Sequence, residues 1–262
     1  MSSNHHSPMV LSMEVSSKDE SEYRILVQNM VRYLIIPTGT FERSALSTPL
    51  SSLPDLPGGD TWNVAYISRD PSSGQILIDR QIRTLIGIVD VWHPSRVDCL
   101  ELRRLRQLTA TTYEATYGSG GSPKTVIAKV ARFEWEIPRL AQETSTYKIL
   151  QNTGLAPWFL GHVHEHGRVI GFILEKLEGR EANIGDLSLC QSVLGRLHDV
   201  GILHGDVNRY NFIVRSDTAY LIDFERSQLC DDTNASMRAE MESLRDQLVE
   251  KTGRGAGFSR SK

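Results

Sequence analysis

The chain has 262 residues, 40% hydrophobic and 23% charged, which is a globular composition rather than a disordered or fibrous one. Its 29 Lys and Arg against 32 Asp and Glu leave a net charge of -3, excluding a global basic field for nucleic acid and an acidic solvating tail. Cys99, Cys190 and Cys230 are scattered without a CxxC pair, so neither a disulfide frame nor a zinc site is expected, and each reads as a small buried apolar residue. The longest apolar runs fall far short of the ~20 residues of a spanning helix, and MSSNHHSPM lacks a signal core. The expectation is a soluble, intracellular protein, cytoplasmic or nuclear, without a membrane partner.

Residues 1–22 are Ser-rich and aperiodic and read as a disordered arm in which His5 and His6 are solvated. Residues 23–104 carry β-rich runs (YRILV, VRYLII, WNVAYI, QILI, LIGIVDVW) broken by Pro and Gly clusters. They read as a β-rich N-terminal extension with Trp62 and Trp92 in its core. Leu105 to Leu108, Thr112 to Tyr117 and Thr125 to Val130 read as three successive strands, the last two joined by GSGGSP, with Lys129 inside the third.

Pro138 is placed like a first helical residue and Gly154 like the residue beyond a helix end, predicting a helix over Pro138 to Asn152. Its apolar stripe is Leu140, Tyr147 and Leu150, and Glu143 falls on that stripe. A buried unpaired carboxylate costs several kcal/mol, so a cation must meet Glu143, and Lys129 is the nearest in sequence; a partly exposed Glu at the stripe's edge is the competing reading. Strands follow around Trp158 to Val163 and over Arg168 to Leu177. His162 and His164 alternate onto one face, but no third ligand at suitable spacing accompanies them. Asp186 is placed to N-cap a helix with Leu187, Cys190, Val193, Leu194 and Leu197 inward and Gly201 at its end.

Residues 203–225, LHGDVNRYNFIVRSDTAYLIDFE, read as a hairpin turning at Ser216 to Thr218. With the turn centred on Asp217, Asn211 and Asp223 stand opposite one another at the open end, and Asp206 in the His-Gly-Asp turn reaches the same spot. Carboxylate and amide oxygens suit a hard cation such as Mg²⁺, which keeps substrate phosphates in its shell. Asn234 to Lys251 reads as a last helix with Met237, Met241, Leu244 and Leu248 inward and Gly253 beyond its end. The basic residues of the final segment read as solvated.

VIAK at 126–129, Glu143 on the next helix, HGD at 204–206 with Asn211 five residues later, and Asp223-Phe224 after a hairpin resemble the ordered signature set of the protein-kinase-like superfamily. The HGD form is similar to that of its small atypical members: RIO kinases, the KEOPS-complex kinase, and aminoglycoside, choline and lipopolysaccharide-type kinases. ARFEWEIPRLAQET, GFILEKLEG and HGDVNRYNFIV are similar to a group of short fungal kinase-like proteins. Some of that group carry an α-galactosidase label, for which the acidic residues here give no support.

The resemblance implies an α+β, two-lobed protein-kinase-like fold over 105–252, with an N-lobe at 105–175 enlarged by the β-rich extension, a minimal helical C-lobe at 178–252 and a basic flexible tail at 253–262. It implies ATP and Mg²⁺ as cofactors. Lys129 would contact the phosphates and be held by Glu143, Asp206 would act as catalytic base or acceptor orienter, and Asn211 and Asp223 would hold the metal. Adenine would lie against Ala128 and Ile213, bonded to backbone in the run Glu175 to Leu177. The acceptor would be a protein Ser/Thr or a small-molecule hydroxyl, or the enzyme would hydrolyse ATP; the alternative is a pseudokinase serving as a nucleotide-binding or scaffolding module.

Three departures bear on that choice. No GxGxxG precedes Lys129, Thr109 to Thr112 occupying the place of a phosphate-covering loop. Glu225 replaces the glycine of DFG and would either hold a metal water or repel phosphate. No APE motif appears among the 39 residues after Asp223, which leaves room for a protein partner that completes the short C-lobe.

Overall fold

A computed structural model describes residues 8–47, 56, 61–118, 123–230, 234–250 and 252–253. His5, His6, residues 119–122 of the glycine-rich turn and the basic tail after Gly253 lie outside the described residues. The chain divides into two compact units, one running to Ile86 together with residues 132–134, the other comprising Gly87 to Ala131 and the residues from Trp135 onward.

The first unit is a five-stranded sheet in sequence order: β1 (Met9–Glu14), β2 (Ser21–Val27), β3 (Met30–Ile36), β4 (Val64–Arg69) and β5 (Ile76–Gln81), with a short helix α1 (Arg43–Ser47). Neighbouring strands are antiparallel except β3 and β4, which run parallel. The residues of the expected disordered arm therefore differ from that expectation over 9–14, which pair with Leu26 to Glu22 as β1. The run MVLSME is itself apolar within Ser-rich surroundings, and Val10 packs on the core of Tyr23, Ile25, Leu34, Ile36, Trp62 and Ile67. Trp62 is 2% exposed with the Arg32 guanidinium 4.2 Å from its ring centroid.

The second unit opens at Gly87 rather than near residue 105, because the preceding segment is bonded into its sheet. Ile88 donates to Val169, His162 donates to Ser95, and β6 (Arg96–Asp98) runs parallel to β10 (Phe159–Glu165). That six-stranded sheet has the order β6-β10-β11-β9-β8-β7, with β7 (Arg103–Gln107), β8 (Thr112–Tyr117), β9 (Lys124–Val130) and β11 (Arg168–Glu175). Gly171 is demanded by the close approach of β11 to β9, since a Cβ there would stand 2.1 Å from the Lys129 carbonyl oxygen. Helix α2 (Ile137–Ile149) begins with Pro138 in its first turn, as its φ preference dictates, and stops three residues before the expected Asn152.

The helical part holds α3 (Leu187–Asp199) and α4 (Asn234–Val249), with β12 (Arg180–Glu181), the hairpin β14 (Phe212–Arg215) and β15 (Thr218–Leu221), and the pair β13 (Ile202–Leu203) and β16 (Gln228–Leu229). Asp186 precedes α3 but does not cap it. Its carboxylate is spent on the Arg180 guanidinium at 2.6 and 2.7 Å and on the Asn183 amide, which Asn183 reciprocates in a capping box over a short 3₁₀ turn. Cys190 is buried in the core, while Cys99 and Cys230 are half-buried. The fold class is α+β, consistent with a kinase-like two-lobed arrangement, and no helix among the described residues is long and apolar enough to cross a membrane.

His162 does not form a metal pair with His164. It is fully buried against Trp92 and Phe159, and its Nε2 accepts from the His93 amide at 3.2 Å. Burial, then the neighbouring His93 and Arg96, lower its pKa from 6.5 to about 4. Between those values the unfolded chain takes up a proton that the folded ring refuses, so stability falls as pH drops from 6.5 to 4, by roughly 3 kcal/mol at most. In thermal melts across pH 4–7 His162→Gln is expected to show a shallower acid slope than wild type; identical slopes would contradict this assignment.

Candidate functional site

Lys129 lies on a central strand of the six-stranded sheet, paired with Thr112 on β8 and Phe172 on β11. Its side chain does not reach solvent as that of a lone strand lysine ordinarily would; the residue is 5% exposed. The ammonium donates to Glu143 Oε2 at 2.5 Å and to Asp223 Oδ1 at 2.7 Å, and Glu225 Oε1 stands 3.4 Å away. Glu143 is fully buried on α2, and its other oxygen accepts from the Phe224 amide at 3.2 Å. Burial works against the charged Lys129 ammonium, yet Glu143, Asp223 and Glu225 together raise its pKa well above the usual lysine value. Burial pushes the Glu143 carboxyl up to about 7, with the ammonium working against it. Asp223 is drawn below its ordinary value by the Lys129 ammonium, which overcomes its own burial.

The oxygens of Glu143, Asp223 and Glu225 lie within 4.8 Å of one another, but they cage the ammonium, and Asp206 is outside the group. The hairpin register differs by one from the sequence expectation. The turn has two residues, Ser216 and Asp217, rather than three centred on Asp217, so Arg215 pairs with Thr218 and Asn211 lies beside Ile222 rather than Asp223. Asp223, one residue further on, adopts a left-handed φ of 67°. That turn leaves its side chain 43% exposed while it meets Lys129. Asn211 is 4% exposed and spends its Nδ2 on the Asp206 carbonyl at 2.8 Å, leaving the amide oxygen as what it can offer an ion. A half-exposed carboxylate and an amide oxygen are a hard donor set that fits Mg²⁺.

The His-Gly-Asp turn is held by a residue that the sequence reading did not single out. Glu240 of α4 accepts from the His204 amide at 3.1 Å, the Gly205 amide at 2.7 Å and the His198 ring at 2.8 Å. These donors hold its carboxyl below the usual range against the effect of burial. The apolar stripe of α4 gives no hint of it; only its acidic identity on a half-buried face could have raised the question. His204 is fully buried, burial lowers its pKa, and its Nε2 lies 3.1 Å from the Ile222 carbonyl. Gly205 has a φ of 78°, and a Cβ there would sit 2.3 Å from the Arg226 carbonyl oxygen, so the middle position of the turn admits no side chain.

Of the adenine-site candidates, Ala128 is fully buried between Tyr113 and Ile173, Ile213 is half-buried on β14, and Glu175 and Leu177 are half-buried at and beyond the end of β11. The strand ends at Glu175 rather than Leu177, and the Glu175 amide donates to the Trp158 carbonyl. In the glycine-free loop the Thr109 hydroxyl accepts from the Thr112 amide, and the Gln107 side chain donates to the carbonyls of Thr109, Ala110 and Thr112. Thr109 thus helps close the turn, together with main-chain bonds from Leu108 and Thr109 to the Thr112 carbonyl.

The RIO domain family matches residues 173–242, the stretch that carries α3, the His-Gly-Asp turn, the hairpin and the first half of α4. The resemblance to the atypical protein-kinase-like families stands. A KEOPS complex subunit Bud32 from Pyrococcus abyssi is 36% identical over 76 residues, 28% of this chain and 32% of that protein. The chain thus spans about a third of the length of the curated relative it matches. Removing the Glu240 carboxylate would leave two main-chain donors of the turn without their acceptor, at a cost of roughly 2 kcal/mol or more. Glu240→Ala is therefore expected to lower the thermal midpoint by several degrees, and a midpoint within about 1 °C of wild type would contradict the assigned role.

Proposed function

We propose that the protein is a Mg²⁺-dependent ATP phosphotransferase or ATPase of the atypical kinase-like kind. The observation that carries this reading is the Lys129 ammonium, buried and shared between Glu143 and the half-exposed Asp223. A desolvated, fixed cation of this sort neutralises phosphoryl charge without having to reorganise. Asp223 and Asn211 would hold Mg²⁺, which when bound would screen the phosphates. Asp206, whose main chain is tied to Asn211, would orient or deprotonate the acceptor hydroxyl. Ala128, Ile213 and the segment Glu175 to Leu177 would receive the adenine. The likeness to a KEOPS subunit supports protein partners, one of which would complete the short C-lobe.

A second reading, a pseudokinase, is favoured by one observation. Glu225 adds a third carboxylate 3.4 Å from the ammonium, where it competes with phosphate for the same charge. Release of the γ-phosphate from radiolabelled ATP, measured for wild type and Asp206→Asn with and without Mg²⁺, separates the two. The enzyme reading expects Mg²⁺-dependent turnover in wild type and a loss of at least about 100-fold in the variant, the scale of a removed acid–base group. Background release from both would overturn it in favour of the pseudokinase.

A further inference from the structure

Helix α2 carries the glutamate that meets Lys129, and the side of the helix that bears it is bonded along its length to one short segment. Arg139, Gln142, Glu143 and Thr146, at spacings of three, four and seven residues, share one side of a helix. All four reach residues 224–227. The Arg139 guanidinium lies 3.9 Å from Glu225, Gln142 Nε2 donates to the Ser227 carbonyl at 2.8 Å, Glu143 accepts from the Phe224 amide, and the Thr146 and Ser227 hydroxyls are 2.7 Å apart. Ser227 Oγ also lies 2.7 Å from the Phe224 carbonyl. The proton order that satisfies both 2.7 Å contacts has Thr146 donating to Ser227 and Ser227 donating to Phe224, in preference to the longer 3.2 Å bond from the Thr146 hydroxyl to the Gln142 carbonyl. Thr146 and Ser227 are 3% and 2% exposed, so water cannot replace the bond cheaply.

We infer that Thr146 and Ser227 are positioning residues: their buried hydroxyl bond latches α2 to the segment after Asp223 and so keeps Glu143 on Lys129 without any added phosphate or partner. The inference rests on the proposed function for its catalytic consequence, but the latch itself is a property of the fold. Without the bond, α2 keeps its apolar contacts and the bonds that tie Thr144 to Trp92 and Lys148 to Asp90, yet loses its most C-terminal link to the segment after Asp223, and Glu143 is free to shift from the ammonium.

The test combines hydrogen exchange of residues 137–149 with the kinetics of Mg²⁺-dependent ATP turnover in wild type, Thr146→Val, Thr146→Ser and Ser227→Ala. Thr146→Val and Ser227→Ala are expected to speed exchange in α2 by roughly tenfold while α3 stays protected. They are also expected to lower kcat by about tenfold, whereas Thr146→Ser, which keeps the hydroxyl, stays within about twofold of wild type. Unchanged exchange in Thr146→Val would overturn the latch, as would Thr146→Ser behaving like Thr146→Val, because the methyl packing would then be what matters. A wild type without turnover would sink the proposed function, and the exchange data would still decide the latch.

Discussion

Everything in the candidate site is arranged around one buried ammonium. A lysine on a central strand has little chance of solvation, and ionised burial is tolerable only where opposite charge is within hydrogen-bond reach. Glu143 and Asp223 meet that need from two distant parts of the chain, α2 and the end of the hairpin. The helix must therefore lie against β9, and the hairpin must end where its last carboxylate can reach the same nitrogen. The left-handed backbone at Asp223 is the local adjustment that allows this.

The surroundings serve the same geometry. Phe224 is fully buried and packs against Tyr147 at 5.4 Å and His204 at 5.2 Å between ring centroids, so the residue after Asp223 is fixed from both the helix and the His-Gly-Asp turn. Glu240 holds the turn from the far side through main-chain amides, which ties its position to the backbone and leaves Asp206 free of that duty. One helix and one acidic side chain thus supply the support that the turn needs. The extra carboxylate at Glu225 both strengthens the hold on Lys129 and taxes any phosphate that approaches it.

Much of this was legible in the sequence. Glu143 on an apolar stripe demanded a cation, and Lys129 supplied it. What the sequence could not carry were quantities set by a single residue or by distant partners. A two-residue turn instead of three moved Asn211 beside Ile222, and Asp186 resembled a helix cap until Arg180 claimed its carboxylate. Glu240 gave no periodic signal because its partners, two main-chain amides and the His198 ring, lie between 35 and 42 residues earlier in the chain. β1 is the apolar run MVLSME, hidden only because the residues on either side of it are Ser-rich and polar.

The most direct measurement is calorimetric titration of ATP into the wild type and Asp223→Asn, each with Mg²⁺ and with a chelator. The account predicts binding by the wild type that weakens at least about tenfold when Mg²⁺ is removed, and binding by the variant that no longer responds to the metal. Wild-type affinity that is indifferent to Mg²⁺, or a variant that retains the full metal response, would contradict the placement of a phosphate and metal site around Lys129.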